Sequence, residues 1–395
     1  MFVYLDNSAT TRQYDEVTDM MADIMRNSFG NPSSLHRMGL DAEKLLRAAR
    51  KQLAGALGAG ENEIFFTSGG TESDNTALLG AAEARGRKKK KIITTAVEHP
   101  AVLMTLERLE AGGFEIVKTG VNPDGSLKTE ELEQQIDENT VLISVMQVNN
   151  ESGTIMPVET IGRLKEEFNK KHGTNILFHT DAVQSFGKMK VLKPGVDMAS
   201  FSAHKIHGPK GVGALYLKKG IHIPAFITGG GQESGFRSGT ENLPCIAGFG
   251  LAAEKAYKAL EKRMEKMGEV RDYLLAGLKA EISDIRLNGV EKTGTGGEEN
   301  LACPSVLNVS FAGTRGEVLL HTLEQSEIYV STGSACASNH KGMSHVLRAM
   351  GLKDKDIEGA VRFSFNEFNT IEEMDFVIEK TKQAVSKFRR LGSFR

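Results

Sequence analysis

The sequence has few of the features that mark secreted, membrane-spanning or nucleic-acid-binding proteins. Its 395 residues include only three cysteines, an odd and sparse set that argues against a disulfide framework and for a reducing compartment. The 49 basic and 51 acidic residues leave a formal net charge of -2, which creates no general attraction to nucleic acid or to an anionic membrane. No apolar run reaches the roughly 18 residues of a transmembrane helix. We therefore expect a cytoplasmic protein that acts on a small substrate, without membrane contact and without direct nucleic-acid binding.

Seven short apolar runs alternate with helical patterns between about residues 60 and 220. This alternation predicts parallel β-α-β units, in which helices cover both faces of one sheet. Polar clusters follow several of these runs, and we expect them to meet in one crevice because ligands bind beyond the carboxyl ends of parallel strands. The predicted strands are "EIFFTS", "KIITTA", "FEIVKT", "VLISVM", "NILFHTD", "DMASFSA" and "VGALYL".

The length of the chain and a later change of pattern indicate two domains, because one hydrophobic core rarely grows this large. A glycine-rich segment at 228–244 precedes a long helical stretch predicted from about Leu243 to Ile282. Beyond it, "VLNVSF" and "EIYVS" read as strands of a smaller α+β region. We predict a large domain over residues 13–255 and a small α+β domain over residues 256–395, with residues 1–12 packed on the small domain.

Two charged residues follow predicted strands at the expected crevice. Lys205 comes after "MASFS", and a partly desolvated lysine amine is a competent nucleophile or base. Asp181 ends "NILFHTD", where a carboxylate suits the protonated ring nitrogen of pyridoxal 5'-phosphate (PLP) while the lysine forms the Schiff base. An ordinary surface lysine and an aspartate that caps the next helix are the alternatives. Gln184, three residues after Asp181, would reach the same ligand.

The segment "TSGGTESDN" at 67–75 joins a predicted strand to a predicted helix. Gly69 and Gly70 expose backbone N–H groups, Thr71 adds a hydroxyl, and the start of a helix favours an anion. The segment is therefore a candidate phosphate site. It matches neither the dinucleotide fingerprint nor the P-loop pattern, and an ordinary glycine-rich turn is the alternative.

Further polar residues suit ligand binding. His99 follows a strand, where an imidazole can stack on a flat ring and move protons near neutral pH; a structural histidine is the alternative. Asn149 and Asn150 are donors for a ring hydroxyl or a carboxylate, or else simple turn residues. Arg362 lies within an apolar strand and requires an anion, either a substrate carboxylate or an internal acidic partner.

Cys336 lies in "STGSACAS", a run too small and polar to bury a thiol well. This placement predicts an exposed and reactive thiol. Cys336, His340 and His345 also form a Cys-x3-His-x4-His pattern. No second ligand cluster accompanies this pattern, so we expect no metal site.

Taken together, these motifs resemble those of the NifS and IscS type of cysteine desulfurase, within the class V group of fold-type I PLP-dependent enzymes. The resemblance implies the α/β fold of a fold-type I PLP-dependent transferase, with a mostly parallel seven-stranded sheet in the large domain and a smaller α+β domain. It spans almost the whole chain, through "YLDNSATT", "FGNPSSLHRMG", "FFTSGGTESDN", "VEHPAV", "VNNESGTIMPV", "HTDAVQSFGK", "SFSAHKIHGPKGVGALY", "GGGQESGFRSGTEN", "STGSACAS", "SHVLRAMG" and "VRFSFN".

The resemblance also implies a role for each candidate residue. Lys205 would be the Schiff-base lysine, Asp181 would pair with the pyridinium nitrogen, and His99 would stack on the ring and help to move protons. Arg362 would hold the substrate carboxylate, helped by Asn150, which would also contact the cofactor. The phosphate and the ring hydroxyl would be bound by Gly70, Thr71, Ser202, His204, Gln184 and, from the partner subunit of a homodimer, Thr240.

The implied activity is cysteine desulfuration. L-Cysteine would become L-alanine, with the Lys205 amine removing the Cα proton and the Cys336 thiolate attacking the substrate sulfur to form a persulfide. A persulfide acceptor protein, either an iron-sulfur scaffold or a tRNA-thiolation enzyme, would receive the sulfur for an iron-sulfur cluster or a thio-cofactor. The alternatives are a selenocysteine lyase or other class V enzyme and, from a different class, an inactive scaffold in a sulfur-transfer complex.

Overall fold

Twelve strands, twelve α-helices and three short 3-10 helices make up the regular structure of the described residues. The computed structural model describes residues 1–86, 90–295, 300–332, 343–390 and 392. The strands are β1 (Val3–Tyr4), β2 (Ile64–Thr67), β3 (Lys91–Thr95), β4 (Glu115–Thr119), β5 (Thr140–Ser144), β6 (Leu177–Asp181), β7 (Met198–Ser202), β8 (Gly213–Leu217), β9 (Ile285–Leu287), β10 (Val306–Phe311), β11 (Ile328–Tyr329) and β12 (Ala360–Ser364). The helices are α1 (Asp15–Asn27), α2 (Arg37–Leu57), α3 (Gly70–Arg85), α4 (Pro100–Ala111), α5 (Thr129–Gln135), α6 (Val158–His172), α7 (Leu243–Lys258), α8 (Leu260–Glu281), α9 (Gly316–Glu324), α10 (His345–Ala349), α11 (Asp354–Glu358) and α12 (Ile371–Arg390).

A seven-stranded sheet occupies the larger part of the fold. Its strand order is β2-β8-β7-β6-β5-β3-β4. Neighbouring strands pair in parallel except at β8, which is antiparallel to both β2 and β7. Each strand coincides with one of the seven apolar runs, so the predicted mostly parallel sheet is confirmed. Because six strands share one direction, their carboxyl ends lie along one edge.

Helices cover both faces of this sheet, and the strand sequences show why. Consecutive strand residues point to opposite faces. Ile92 therefore packs in the cluster that contains α3 and α4, whereas Ile93 packs in the cluster that contains α6 and α7. Leu142 and Ile143 divide between the same two clusters. Burial of both faces accounts for strands that are continuous apolar runs rather than alternating ones.

A smaller antiparallel sheet, in the order β12-β10-β9, carries a separate core. α8 and α12 pack against each other and contribute buried residues to this core. β1 pairs in parallel with β11, so the start of the chain lies beside the C-terminal part. The strands expected at "VLNVSF" and "EIYVS" are confirmed as β10 and β11, whereas β1 and β9 were not predicted. The domain boundary between residues 255 and 256 falls in the last turn of α7 and stays a prediction.

The long helical stretch predicted from Leu243 to Ile282 is in fact two helices. α7 ends at Lys258 and α8 begins at Leu260, because Ala259 leaves the helical conformation with φ -125° and ψ 27°. α7 packs against α1 and α2, whereas α8 packs against α12. The break therefore divides the chain between the two cores. Among the helices of the described residues, none combines the length and the apolar character needed to cross a membrane.

The glycine-rich segment at 228–244 is fastened to the large sheet by buried charge. Both carboxylate oxygens of Glu233 contact the Arg50 guanidinium of α2, at 2.7 and 2.9 Å. One of them also accepts a hydrogen bond from the Phe66 N–H of β2 at 2.8 Å. Arg237 forms a second salt bridge with Glu72 of α3 at 2.8 Å. These contacts hold the segment beside the carboxyl edge of the sheet.

Candidate active site

A cavity of about 230 Å³ lies where the polar clusters at the carboxyl ends of the strands meet. A larger open groove of about 870 Å³ elsewhere on the molecule contains none of the predicted site residues. The smaller cavity is the better candidate because polar and titratable groups converge in it. Its predicted lining residues are Gly70, Thr71, His99, Asn150, Asp181, Gln184, Ser202, His204 and Lys205.

Lys205 is placed by the short 3-10 turn Ala203–Lys205 that follows β7 directly. Its ammonium donates hydrogen bonds to the carbonyl oxygens of Ser8 and Ala9, at 2.5 and 2.8 Å. The N-terminal segment therefore forms one wall of the cavity. This side chain is not the ordinary surface lysine of the alternative interpretation.

Asp181 is the last residue of β6, and only 6% of it is exposed. Its Oδ1 accepts a hydrogen bond from the Val183 N–H at 2.9 Å. Burial raises the pKa of this carboxyl, while the nearby His99 and Lys205 act in the opposite direction. The capping interpretation is wrong, because turns rather than a helix follow β6. One carboxylate oxygen bonds the backbone of this turn while the side chain lines the cavity.

His99 precedes α4 and caps it. Its Nδ1 accepts a hydrogen bond from the Ala101 N–H at 3.1 Å, so the hydrogen of the neutral ring lies on Nε2. Burial lowers the pKa of His99; the carboxylate of Asp181 opposes this effect, and the charge of Lys205 adds to it. His99 is therefore a neutral imidazole near pH 7 that keeps Nε2–H for a ligand in the cavity.

The candidate phosphate site is the start of α3, which begins at Gly70. A side chain at Gly70 would place its Cβ 2.6 Å from Val183 Cγ2, so this position requires glycine. Ser202 and His204 extend the polar surface from the end of β7, and Thr71 lines the cavity beside them. Burial lowers the pKa of His204 to about 4, helped by the charges of Lys205 and Lys210. His204 is therefore neutral at pH 7 and its imidazole can donate a hydrogen bond.

Arg362 is almost fully buried, but it does not line the cavity. Its Nη2 lies 2.9 Å from Asp6 Oδ1, and its Nη1 donates to the Asn150 carbonyl oxygen at 3.0 Å. The internal acidic partner, one of the two alternatives, is thus present. Asn149 is a turn residue, because its Oδ1 accepts the N–H groups of Glu151 and Ser152.

Three buried titratable residues beside the cavity were not singled out from the sequence. Asp74 lines the cavity from α3 with only 1% exposed, and its Oδ1 has no hydrogen-bond partner among the described residues. His179 of β6 lies within 2.9 Å of both Ser144 Oγ and Ser200 Oγ. Glu98 accepts hydrogen bonds from the Thr95 hydroxyl and the Met146 N–H. Two of them could have been recognised in the sequence. His179 lies inside an apolar strand, and Asp74 lies on the sheet-facing side of a helix.

The remaining predicted residues lie away from the cavity lining or outside the described part of the chain. Thr240 is exposed and does not line the cavity. Cys336 and His340 lie outside the described residues. His345 donates its Nε2–H to the Glu98 carbonyl oxygen at 2.9 Å. Within the described ranges, no group of three potential metal ligands occurs.

Comparison with known proteins assigns the chain to a family. The family model for "Aminotransferase class-V" matches residues 3–377. Cysteine desulfurase IscS from Clostridium botulinum (strain Hall) is 42% identical over 392 residues, covering 99% of this chain and 96% of that relative. Cysteine desulfurase IscS from Methanosarcina thermophila is 43% identical, with 99% and 93% covered.

Solved structures give the same result. A structure described as a NifS-like protein superposes with a TM-score of 0.89 at 41% identity, covering 98% of this chain and 100% of that one. The structure of SspA in complex with cysteine has a TM-score of 0.78 at 33% identity, with 93% and 100% covered. The chain therefore belongs to the class-V aminotransferase family and, within it, to the cysteine desulfurases of the NifS and IscS type.

Proposed function

We propose that this chain is a PLP-dependent cysteine desulfurase that converts L-cysteine to L-alanine and accepts the sulfur on Cys336. The observation that carries the proposal is the convergence of Lys205, Asp181 and His99 on one cavity. An amine, a buried carboxylate and a neutral imidazole are groups suited to proton transfer at the Cα of an amino acid. Relatives named as cysteine desulfurases, at 42% and 43% identity, support sulfur chemistry at this site.

The donor set around the cavity fits PLP. N–H groups at the start of α3 and the Thr71 hydroxyl suit a phosphate, and Asp181 suits a protonated ring nitrogen. The Ser8 hydroxyl lines the same cavity without a hydrogen-bond partner among the described residues, so it is available to a polar ligand. When bound, PLP supplies an electron sink for the charge that develops at Cα. The residues that would hold it are Gly70, Thr71, His99, Asn150, Asp181, Gln184, Ser202, His204 and Lys205.

The side chains of the cavity supply proton transfer and orientation. The unprotonated amine of Lys205 can accept the Cα proton, and the carbonyl oxygens of Ser8 and Ala9 fix the position of that nitrogen. The Nε2–H of His99 is a donor that can return a proton to the product. Arg362 would bind the substrate carboxylate. Because its Nη2 contacts Asp6 and its Nη1 contacts the Asn150 carbonyl oxygen, the substrate would have to replace or share these contacts.

The sulfur step needs a thiolate, and we assign it to Cys336, which lies outside the described residues. A bond forms between the Cys336 sulfur and the substrate sulfur as the substrate carbon–sulfur bond breaks. The electron pair of the broken bond remains with the carbon, which is protonated and leaves as L-alanine. Cys336 then carries a persulfide, whose terminal sulfur a thiol of an acceptor protein can take.

We further propose a cytoplasmic homodimer that delivers sulfur to an acceptor protein for iron-sulfur clusters or for tRNA thiolation. The segment 25–40 supports the homodimer, because it exposes five large apolar side chains on one stretch of chain. Thr240, exposed in one protomer, would complete the phosphate site of its partner. The exposed apolar residues are Met25, Phe29, Leu35, Met38 and Leu40.

The proposal is tested by loading the purified chain with PLP, adding L-cysteine and a thiol reductant, and measuring L-alanine and sulfide. We expect Lys205→Ala to lower turnover by about 100- to 10,000-fold, because it removes the general base. Cys336→Ala should reduce sulfide to the background rate. Cys245→Ala is the matched control, since that half-buried thiol of α7 does not line the cavity, and it should retain full activity.

The same assay separates the alternatives. A chain that binds PLP but acts only on L-selenocysteine, and does so equally well after Cys336→Ala, would be a selenocysteine lyase. A chain that releases no alanine from either substrate would be an inactive scaffold. Either result would refute the proposal.

A further inference from the structure

Lys188, the last residue of the motif "HTDAVQSFGK", is a buried ammonium beside the candidate active site, and neither the sequence analysis nor the proposed reaction gives it a role. Only 7% of the residue is exposed. It forms no salt bridge with a carboxylate of the described residues, and its one hydrogen bond there is donated to Gln184 Oε1 at 3.2 Å. A buried charge without an ionic partner is costly. Packing alone therefore does not explain why a lysine occupies this position.

The hydrogen bonds to Lys188 and to Ser8 together set which way the Gln184 amide faces. Gln184 Nε2 donates one of its two hydrogens to the Ser8 carbonyl oxygen at 2.9 Å. The amide oxygen is occupied by the Lys188 ammonium, which has donors and no acceptor. The second Nε2 hydrogen remains for a ligand, and Gln184 lines the cavity. With Lys188 in place, the amide presents a donor to the cavity rather than an acceptor.

We propose that Lys188 is a positioning residue that holds the Gln184 amide with its N–H group towards the oxygen of the PLP ring hydroxyl. This inference rests on the proposed function. A donor at this point stabilises the ionised ring oxygen and lowers the pH at which the bound cofactor changes protonation state. Without Lys188 only the Ser8 carbonyl oxygen opposes a half-turn of the amide, which would present the amide oxygen to the ligand, remove the donor and repel an anionic oxygen.

The geometry brings Lys188 close enough to act on the site. Lys188 and Lys205 line one small cavity together with Asn7 and Glu367, so both lie beside the N-terminal segment. Ser8 is the common contact, because its carbonyl oxygen accepts hydrogen bonds from both Lys205 and Gln184. Burial lowers the pKa of the Lys188 ammonium; Cys303 and Glu367 oppose this effect, and the charges of Arg263 and Arg362 add to it.

The test is the pH dependence of the visible absorption band of the PLP-loaded chain. This band reports the surroundings of the cofactor and does not depend on the turnover rate of the enzyme. We expect Lys188→Met to raise the midpoint of that titration by about one pH unit, the value of one lost hydrogen bond to a charged group. Lys188→Gln keeps an N–H donor on a shorter side chain and should raise the midpoint by less. Lys190→Met, two residues away and exposed, should leave it unchanged.

Measurements in a Gln184→Leu chain distinguish an effect through the orientation of the amide from a direct effect of the Lys188 charge on the cofactor. In a Gln184→Leu chain, Lys188→Met should cause no further shift, because the amide it positions is gone. An equal shift in both backgrounds would mean that the ammonium acts directly by its charge, and would overturn the positioning role. An unchanged midpoint in either folded Lys188 variant would overturn it as well, so the inference can be tested even if only one variant folds. If the unaltered chain shows no visible band with PLP, the proposed cofactor is wrong. The inference about Lys188, which depends on that cofactor, is then refuted as well.

Discussion

At the scale of single residues, three buried acids decide where negative charge resides in the site. Burial raises the pKa of Asp74 well above its usual value, and the neighbouring Asp181 raises it further. Burial likewise raises the pKa of Glu98 to about 8. His179 offers no compensating charge, because burial lowers its pKa to about 3. Burial raises the pKa of Asp181 as well, but the charge of Lys205, and that of His99 whenever it is protonated, oppose this rise. We therefore expect Asp181 to carry the charge while the other two are protonated.

This charge assignment predicts opposite outcomes for two similar substitutions. Asp74→Asn replaces a protonated acid by a neutral group of the same shape, so kcat/KM should stay within about threefold of the unaltered chain. Asp181→Asn removes the charge itself and should lower kcat/KM by about 100-fold or more. Steady-state kinetics with L-cysteine measure both. Equal losses in the two variants would show that Asp74 is ionised.

The stability of the Asp74→Asn variant gives a check that does not depend on catalysis. A raised pKa means that folded Asp74 keeps a proton that the unfolded chain releases above about pH 4. The associated stability is complete below that pH and is lost as the pH rises towards the folded-state pKa. Between about pH 5 and pH 8, the free energy of unfolding in urea should therefore fall less for Asp74→Asn than for the unaltered chain. Parallel curves would contradict the assignment.

At the scale of elements, the glycine-rich segment depends on the buried pair of Arg50 and Glu233. The Glu233 side chain is 2% exposed and that of Arg50 is 18% exposed, so little solvent screens the contact. Glu233→Ala would leave a guanidinium and the Phe66 N–H without a partner. We expect a loss of about 3 kcal/mol in the free energy of unfolding, measured with urea. Glu43→Ala is the control, because its salt bridge with Arg47 is solvent-exposed and should contribute less than about 0.5 kcal/mol.

The elements also show what could be predicted from the sequence. The strands of the large sheet were predictable because burial on both faces makes each a continuous apolar run. β1 and β9 were missed and have two and three residues. The equally short β11 was predicted because it lies within the apolar stretch "EIYVS". The break at Ala259 has no proline or glycine to mark it; it arises because the two helices pack on different cores.

Separation along the chain explains why the contact between Asp6 and Arg362 could not be predicted, whereas the meeting of the strand-end residues could. Lys205, Asp181 and His99 each follow a strand, so their meeting could be predicted from β-α-β order alone. The Asp6 partner of Arg362 lies 356 residues away, and no local pattern connects the two. Lys188 was overlooked for a different reason, since burial of a lysine cannot be recognised without knowing what packs around it.

At the scale of the whole molecule, the exposed apolar segment 25–40 predicts assembly. Leu35 is 96% exposed and Phe29 is 71% exposed, far more than an isolated protomer would favour for side chains of this size. We expect the chain to elute from size exclusion with the mass of a dimer, and Leu35→Asp with Phe29→Asp to shift it towards the monomer. Met104→Asp, at a site that is 61% exposed and distant in sequence, should leave the mass unchanged. A monomeric unaltered chain at micromolar concentration would refute the prediction.

The N-terminal segment contacts both Lys205 and β12 beside the candidate active site, and this has a consequence for the order in which a newly made chain can mature. Ser8 and Ala9 hold the Lys205 nitrogen, Asp6 holds Arg362, and β1 has no strand partner until β11 has been made. During synthesis the first residues must therefore wait for most of the polypeptide to leave the ribosome. The large sheet can form earlier, but the N-terminal segment lacks its contacts with Arg362 and Ser364 until β12 has been made. We therefore expect a product that stops before β12 to hold the cofactor less tightly than a chain that includes this strand.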